Sequence, residues 1–281
     1  MNLTNLSAIR EIADKFGFTF SKSLGQNFLI NPSVCPRIAE MGGADENTGV
    51  IEIGAGFGVL TQELAKRAKK VVAVELDSRL IPVLQYTLAD YDNVKVINED
   101  VLKVDLPKLI AEEFPGMEVV VCANLPYYIT SPIIMALLEQ RLPIKAVTVM
   151  VQKEAGDRLC APMPSRECGA VTAAVRYYSE PKVLFPVSRG SFCPAPNVDS
   201  MVIRLDVKDA LPLEPEEEKK LFRVVKAAFG QRRKTLPNTL SAGLGISKAE
   251  AAEKLAAAGL KPTARAEELS MEQFCRLAKE F

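Results

Sequence analysis

Three closely spaced glycines, Gly54, Gly56 and Gly58, give the clearest chemical signal in the sequence. They follow a Val- and Ile-rich run that contains Glu52, and they precede a stretch with the apolar spacing of a helix. Glycine lacks a Cβ, so the chain can turn tightly and its backbone can approach a ligand. Because position 59 is Val, the spacing differs from the dinucleotide fingerprint G-x-G-x-x-G. The turn therefore favours a smaller, nucleoside-like ligand, and Glu52 suits a positively charged end of it.

Two further acids follow the next two predicted strands. Glu75 comes about 20 residues after Gly54, the spacing at which an acid binds ribose hydroxyls in nucleotide-binding sheets. Asp100 follows the third strand, where it can accept a hydrogen bond from an adenine amino group. Because the carboxyl ends of parallel strands meet at one crevice, we expect Glu52, Glu75 and Asp100 to line a single site. A ribose, an adenine and a cationic amino-acid tail together describe S-adenosylmethionine as the cofactor.

The segment Asn124-Leu125-Pro126-Tyr127 follows the fourth predicted strand. An amide, a rigid proline and an aromatic ring suit a planar base that carries an exocyclic amine. This amine is a weak nucleophile because its lone pair is delocalised into the ring. Accepting its hydrogens with the Asn124 side-chain oxygen and the Leu125 or Pro126 carbonyl would favour a pyramidal nitrogen. Tyr127 can stack on the base for roughly 1–3 kcal/mol. No strong general base is needed, because the sulfonium provides a good leaving group and in-line positioning supplies much of the acceleration.

The composition excludes several kinds of reaction. The 281 residues include no histidine, which excludes Ser-His-Asp and Cys-His catalysis and His-ligated metal sites, and we expect no metal. The six cysteines form no Cys-x-x-Cys pair, which is typical of reduced thiols in the cytosol. Equal numbers of basic and acidic residues, 35 each, mean that nucleic acid could bind only at local basic patches. Without a secretory leader or a membrane-spanning run, we expect a cytoplasmic protein that contacts no membrane.

Short apolar runs alternate with helical patterns between residues 50 and 151. Runs rich in Val and Ile predict buried strands at 50–53, 71–76, 94–97, 119–123 and 146–151. Helical spacing predicts helices at 60–67, 80–91, 106–113 and 131–140. This alternation predicts a doubly wound, Rossmann-like α/β sheet. Two later runs, 182–187 and 200–207, are joined by a loop too short for a helix and predict an antiparallel hairpin that completes the sheet.

The composition changes near residue 208. A proline-containing linker covers 211–215, and the acids at 216–218 suit the amino-terminal end of a helix. From there to residue 281 the chain is rich in Ala, Lys, Glu and Leu and has no strand signal. We therefore predict two domains: a cofactor-binding catalytic domain over 1–208 and a small all-α domain of three or four helices over 209–281.

Four segments occur in a characteristic order: Gly25-Gln26-Asn27-Phe28-Leu29, Glu52-Ile53-Gly54-Ala55-Gly56-Phe57-Gly58, Asn124-Leu125-Pro126-Tyr127 and Phe192-Cys193-Pro194-Ala195-Pro196-Asn197-Val198-Asp199-Ser200. Together they resemble the ribosomal small-subunit RNA adenine dimethyltransferases (KsgA/RsmA type), and the resemblance extends over essentially the whole chain. It implies a class I S-adenosylmethionine-dependent methyltransferase fold. It also implies transfer of two methyl groups to N6 of each of two adjacent adenosines near the 3′ end of small-subunit rRNA, during biogenesis of that subunit.

The resemblance also assigns residues to the cofactor and the target base. It implies cofactor contacts at Asn27, Leu29, Gly54, Glu75, Asp100 and Asn124, to which the glycine pattern adds Glu52 and Gly56. It places Phe192 on the base opposite Tyr127, so that the catalytic group is Asn124, Leu125, Pro126, Tyr127 and Phe192. An adenine held there must leave its stack, at a cost of a few kcal/mol that is lower in a loop than in a duplex.

A run of basic residues opens the predicted helical domain. No acid interrupts it between residues 219 and 234, and its members are Lys219, Lys220, Arg223, Lys226, Arg232, Arg233 and Lys234. Such runs are often only solvated faces. In a chain that resembles an RNA enzyme, we predict that this one contacts phosphates of the small-subunit rRNA, in the 30S subunit or its precursor.

Two rival functions remain compatible with parts of the sequence. An antibiotic-resistance methylase would modify a large-subunit adenine with the same pocket. The Leu at position 125, the 192–200 segment and the long C-terminal domain favour the small-subunit family. A non-catalytic RNA-binding assembly factor would not need Asn124, Pro126, Tyr127 and the three acids intact. No apolar surface stripe repeats along the chain, so we expect a monomer.

Overall fold

A seven-stranded sheet forms the framework of the protein. The computed structural model describes residues 2–19 and 27–281. The strands of these residues are, in chain order, β1 (Phe28–Leu29), β2 (Thr48–Ile53), β3 (Lys70–Glu75), β4 (Val94–Asn98), β5 (Glu118–Asn124), β6 (Ala146–Gln152), β7 (Ser179–Val187), β8 (Phe192–Cys193) and β9 (Ser200–Val207). The large sheet has the order β4-β3-β2-β5-β6-β9-β7, and β1 pairs with β8 in a separate two-stranded sheet.

Helices alternate with the parallel strands of this sheet. The helices of the described residues are α1 (Leu6–Lys15), α2 (Val34–Met41), α3 (Val59–Ala65), α4 (Ile81–Thr87), α5 (Leu106–Glu113), α6 (Thr130–Glu139), α7 (Lys153–Leu159), α8 (Ala170–Tyr178), α9 (Pro215–Ala228), α10 (Leu236–Leu244), α11 (Lys248–Ala257) and α12 (Met271–Ala278). None of the helices within the described ranges has both the length and the apolar character needed to cross a bilayer.

Strands β2 to β6 pair in parallel, and β6 pairs antiparallel with β9. Every residue of β2 is buried, as a parallel strand covered on both faces requires. The predicted fold class is confirmed: a doubly wound α/β sheet that ends in antiparallel strands, followed by C-terminal helices. It is also the architecture that the resemblance to class I methyltransferases implies.

The connection between β7 and β9 is more structured than the sequence predicts. It contains a 3₁₀ turn, Arg189–Ser191, and then β8. β8 pairs antiparallel with β1, so that Leu29 lies opposite Phe192. The Ile30 amide extends this pairing by donating to the Ser191 carbonyl at 2.8 Å. A local pattern could not reveal this pairing, because the two strands are about 160 residues apart in the chain.

Helix α4 is shorter than the predicted 80–91. A 3₁₀ turn, Ser78–Leu80, precedes it, and the helix ends at Thr87. The Thr87 hydroxyl donates to the Phe57 carbonyl at 3.0 Å. The end of α4 is therefore fixed to the glycine turn rather than continued along the sequence pattern.

Contacts divide the chain into two units: Met1–Gly156 with Lys182–Val207, and Asp157–Pro181 with Lys208–Phe281. The second unit contains four helices after residue 208, as the composition predicts, and also α8. Its packing explains why: Tyr178 stacks on Phe222 with ring centroids 5.4 Å apart, and its hydroxyl donates to Glu218 at 2.7 Å. The predicted domain division at residue 208 therefore differs from these units in the segment 157–181.

Candidate active site

The glycine turn connects β2 to α3 and forms one wall of a cavity. The φ angles of Gly54, Gly56 and Gly58 are 78°, 60° and 87°, in the left-handed region that favours glycine. Gly54 and Gly56 line this wall. The Gly54 amide donates to the Val74 carbonyl of β3 at 2.9 Å. A Cβ at position 56 would come within 3.3 Å of the Phe28 ring. The turn thus keeps its backbone close to the cavity, as the sequence predicts.

Glu75 lies at the end of β3 and is 6 % exposed. Its two carboxylate oxygens accept hydrogen bonds from backbone amides, Oε2 from Gly56 at 2.9 Å and Oε1 from Asp77 at 2.8 Å. Burial raises the pKa of this carboxyl. Each oxygen keeps a further lone pair, so Glu75 connects the end of β3 to the glycine turn and can still accept from ligand hydroxyls.

Asp100 lines the same cavity two residues beyond the end of β4. One of its carboxylate oxygens accepts from the Leu102 amide at 3.1 Å, which fixes the side chain beside the strand end. Asn98 holds the neighbouring strand end, since its amide donates to the Glu75 carbonyl at 2.8 Å. Asn98 was not predicted as a site residue, because its position as the last residue of β4 is its one sequence signal.

Glu52 is the most unusual acid of the site. It lies within β2, lines the cavity and is only 1 % exposed. Within the described part of the chain, its Oε2 atom has no hydrogen-bond partner. The pKa of this carboxyl is raised from 4.5 to about 8, mainly by burial; an interaction with the Thr61 hydroxyl opposes the shift, and the nearby charge of Glu75 adds to it. An unpaired buried carboxylate is costly, so Glu52 provides a place for a positively charged group.

The tip of β5 presents Asn124 to the cavity, and the next three residues turn away from the strand. Leu125 is 2 % exposed, so its side chain belongs to the core. The Pro126 carbonyl accepts from the Ile129 amide at 3.2 Å and from the Thr130 hydroxyl at 3.3 Å. These bonds use both lone pairs of that carbonyl and fix the turn.

Tyr127 is half-buried at the start of the 3₁₀ turn Tyr127–Ile129. Its hydroxyl and that of Ser200 on β9 are 2.7 Å apart. Burial raises the pKa of this phenol, which therefore stays protonated at neutral pH. The hydrogen bond fixes the ring edge, and the ring lines the cavity.

The β1–β8 pair contributes Asn27, Leu29 and Phe192 to the cavity lining. Phe192 is 3 % exposed and packs in the same apolar cluster as Leu29. Gly25 and Gln26, which begin the first quoted segment, lie outside the described residues. The structure thus brings together all the predicted cofactor and catalytic residues, including Glu52, Gly54, Gly56, Glu75, Asp100, Asn124, Leu125, Pro126 and Tyr127.

Several lining residues were missed by the sequence analysis. Phe28 and Phe57 meet edge-to-face at the cavity with centroids 4.8 Å apart. Cys35 and Tyr128 also line it. Burial raises the pKa of the Cys35 thiol, so the cavity holds a neutral thiol there and no thiolate nucleophile. Phe28 and Phe57 belong to two of the segments that resemble the family, and this was the one sequence feature that could have indicated a place in the site.

The seven predicted RNA-binding residues belong to the second unit, and none of them lines the cavity. All seven are exposed. Four lie on α9, with Lys219 paired to Glu216 at 2.6 Å, and three lie in the turn after it. Arg232 donates to the Arg166 carbonyl at 2.6 Å. Arg232 also pairs with the Glu267 carboxylate at 3.9 Å. We call these seven exposed cations of the second unit the basic face.

The cavity therefore combines a glycine turn, a buried acid with an unpaired oxygen, two acids at strand ends and an amide beside an aromatic ring. A nucleoside with a cationic amino-acid tail fits this donor and acceptor set. The amide and the ring, at the tip of the next strand, fit a second planar group.

Sequence comparisons identify similar proteins over nearly the full chain. A family model described as ribosomal RNA adenine dimethylase matches residues 17–281. The "Ribosomal RNA small subunit methyltransferase A" of Geobacillus thermodenitrificans (strain NG80-2) is 51 % identical over 273 residues, which is 96 % of this chain and 93 % of the relative. The protein of the same name from Alkaliphilus oremlandii (strain OhILAs) is 50 % identical over 270 residues, covering 96 % and 94 %.

Solved structures with the same architecture include a dimethyladenosine transferase and an rRNA methyltransferase. A dimethyladenosine transferase from Plasmodium falciparum matches with a TM-score of 0.73 and 26 % identity, over 89 % of this chain and 95 % of its own. The 23S rRNA methyltransferase ErmE matches with a TM-score of 0.70 and 27 % identity, over 90 % and 99 %. A 23S rRNA methyltransferase thus shares this fold, so the fold by itself does not exclude the large-subunit rival.

Proposed function

Because the chain belongs to the ribosomal RNA adenine dimethylase family, we propose that it dimethylates N6 of two adjacent adenosines in the 3′-terminal hairpin loop of small-subunit rRNA. The family uses S-adenosylmethionine. The observation that carries this proposal is the single cavity that contains both the Glu52 carboxyl, whose Oε2 atom has no partner among the described residues, and the Asn124 amide at the tip of β5. The identity of about half the residues with small-subunit enzymes favours that target over the large subunit.

The cofactor would be held by residues at the carboxyl ends of three strands. Glu52 would pair with the ammonium group, Glu75 would accept from the ribose hydroxyls and Asp100 would accept from the adenine amine. Gly54 and Gly56 would let the backbone approach the cofactor closely. The side chains of Asn27, Leu29 and Asn124 would complete the cofactor contacts. When bound, the cofactor supplies a methyl group attached to a sulfonium sulfur, and the thioether that remains is a good leaving group.

The target amine would be held by the Asn124 side-chain oxygen and one backbone carbonyl. The Pro126 carbonyl already accepts two hydrogen bonds, from Ile129 and Thr130. The Leu125 carbonyl is therefore the better acceptor of the two that the sequence left open. Accepting both amine hydrogens directs the nitrogen lone pair away from the ring and toward the cofactor side of the cavity.

Tyr127 and Phe192 would hold the adenine ring between them. The hydroxyl of Tyr127 is fixed by Ser200, so its ring is positioned before a base enters. Stacking on a fixed ring loses little side-chain entropy and is worth roughly 1–3 kcal/mol, enough to offset much of the cost of base flipping. The burial of Phe192 at 3 % exposure supports an edge or wall contact rather than a freely swinging ring.

The basic face of the helical unit would contact RNA phosphates. Its members are Lys219, Lys220, Arg223, Lys226, Arg232, Arg233 and Lys234. The partner would be the 30S subunit or its precursor, in the cytoplasm, and the enzyme would act as a monomer. The composition supports an RNA contact at these residues, because the overall charge is balanced and RNA can bind only at a local basic patch.

The proposal is tested by incubating the protein with unmethylated small subunits, separate large subunits and labelled S-adenosylmethionine. We expect N6,N6-dimethyladenosine in small-subunit rRNA on nucleoside analysis. Label in large-subunit RNA instead would favour a methylase of the resistance type. Absence of label from both RNAs, with cofactor bound, would favour the non-catalytic assembly factor.

A further inference from the structure

Tyr128 stands at the rim of the cavity with its ring open to solvent. Among the exposed large hydrophobic side chains of the described residues it has the highest exposed fraction, 61 %. It also lines the cavity that contains Asn124 and Tyr127. A large aromatic ring exposed beside a binding cavity can contact the part of a ligand that extends out of the cavity.

The backbone explains why two successive tyrosines point in different directions. Tyr127–Ile129 is a 3₁₀ turn, in which successive side chains diverge by about 120°. Tyr127 is tied to Ser200 and half-buried, whereas Tyr128 is directed outward. The two bonds to the Pro126 carbonyl hold this turn in place. The outer ring is therefore presented at a fixed position, and ordering it on binding costs little.

Another exposed tyrosine of the same unit provides a contrast. Tyr86 on α4 is 40 % exposed, but the Lys15 ammonium lies 3.6 Å from its ring centroid and Phe16 packs 5.6 Å away. Tyr86 thus belongs to the contact between α1 and α4 and does not line the cavity. Within the described residues, packing explains the exposed position of Tyr86 but not that of Tyr128.

We propose that Tyr128 is the stacking platform for the base next to the flipped adenosine. This inference rests on the proposed function, in which one adenosine enters the cavity and its neighbour stays outside. Successive bases of a single strand stack on successive aromatic side chains in RNA-binding sites, and stacking accepts any base but favours larger ring systems. A platform at the rim would fix the neighbour, align the strand and favour a purine at that position.

The experiment compares Tyr128→Ala, Tyr128→Phe and the control Tyr86→Ala on unmethylated small subunits. We expect Tyr128→Ala to raise KM for the subunit about tenfold, equivalent to ~1.4 kcal/mol, with kcat changed less than about threefold. Tyr128→Phe should stay within about twofold of the unaltered protein, because the ring rather than the hydroxyl makes the contact. Tyr86→Ala should match the unaltered protein. Cofactor affinity should be unchanged in all three.

A second arm uses subunits in which the neighbouring adenosine is replaced by uridine. The unaltered protein should show a several-fold higher KM on this RNA, whereas Tyr128→Ala should show no further increase, because the two changes remove one contact. An unchanged KM in Tyr128→Ala, additive effects, a Phe variant as weak as Ala, or loss of cofactor binding would each overturn the inference. If the unaltered protein formed no dimethyladenosine in small subunits, the proposed function would fail as well.

Discussion

Replacing Glu52 with Gln removes a buried ionisable group while nearly preserving its shape. In the folded chain, burial raises the pKa of this carboxyl from 4.5 to about 8. Between these two pH values the folded state retains a proton that the unfolded state has released, so the free energy of unfolding falls as pH rises. Each pH unit contributes about 1.36 kcal/mol, and the accumulated cost near pH 8 is on the order of 4 kcal/mol.

The Glu52→Gln variant does not carry this cost. We expect the cofactor-free variant and the unaltered protein to melt at similar temperatures near pH 5. At pH 8 the variant should melt higher, by about 2–4 °C for each kcal/mol of stability gained. Thermal melts followed by circular dichroism between pH 5 and pH 9 measure this difference directly.

Cofactor affinity should change in the opposite direction. S-adenosylhomocysteine is a suitable probe because it keeps the amino-acid tail and lacks the sulfonium. Its affinity for the unaltered protein should rise about tenfold per pH unit as Glu52 ionises and should level off above pH 8. Glu52→Gln should lack the rising limb. At pH 8 it should bind at least about tenfold more weakly, by ~1.4 kcal/mol or more, since a buried charge pair is broken.

Glu63→Gln serves as the matched control. Glu63 is partly buried, yet hydrogen bonds from Lys66 and Arg67 lower the pKa of its carboxyl. Its contribution to stability is therefore present above its ordinary pKa, so replacing it should lower the melting temperature at pH 8, and it should leave cofactor affinity unchanged. The reasoning about Glu52 would be refuted if Glu52→Gln melted lower than the unaltered protein at pH 8, or if calorimetric titration gave the same affinity for both.

Three further variants test the rest of the site and the basic face. Glu75→Gln should destabilise the cofactor-free protein by about 1–3 kcal/mol in a denaturant titration, because the amide cannot accept from both backbone amides that the carboxylate now satisfies; equal midpoints would contradict this. Asn124→Ala should abolish turnover, while cofactor affinity stays within about tenfold, or ~1.4 kcal/mol, of the unaltered protein. Normal turnover at saturating cofactor would exclude the role of Asn124 in holding the target amine. Replacing Arg223 and Lys226 together by Gln should weaken RNA binding and reduce the salt slope by about 1.5–2, whereas Lys108→Gln should not; parallel slopes would remove the basic face from the RNA interface.

Much of the cofactor site could be predicted from local sequence. The glycine turn and the acids at 52, 75 and 100 were predicted to share one crevice, and the structure places all of them in one cavity. The prediction succeeds because parallel strands of a doubly wound sheet end at one edge, whatever the packing elsewhere. A residue at the end of such a strand is therefore placed by the strand pattern alone.

Contacts between distant segments could not be predicted in this way. Tyr127 and Ser200 are 73 residues apart, and the β1–β8 pairing that brings Phe192 to Leu29 spans about twice that separation. The segment 157–181 shows the same limit, since its grouping with residues 208–281 depends on contacts such as Tyr178 with Phe222. Periodicity reports only which face of an element is apolar, and it does not say which partner covers that face.

By itself, the sequence determined the class of sheet and which motif follows each parallel strand. It also determined which hydrogen-bonding atoms the site offers to ligands. Tertiary structure alone decided that Glu52 has an unpaired oxygen and a raised pKa, that the Pro126 carbonyl is already occupied, and that Tyr128 faces outward while Tyr127 faces inward. The physical reason is that residue type fixes hydrogen-bonding capacity, whereas desolvation and competition for that capacity depend on every neighbour that packing brings within reach.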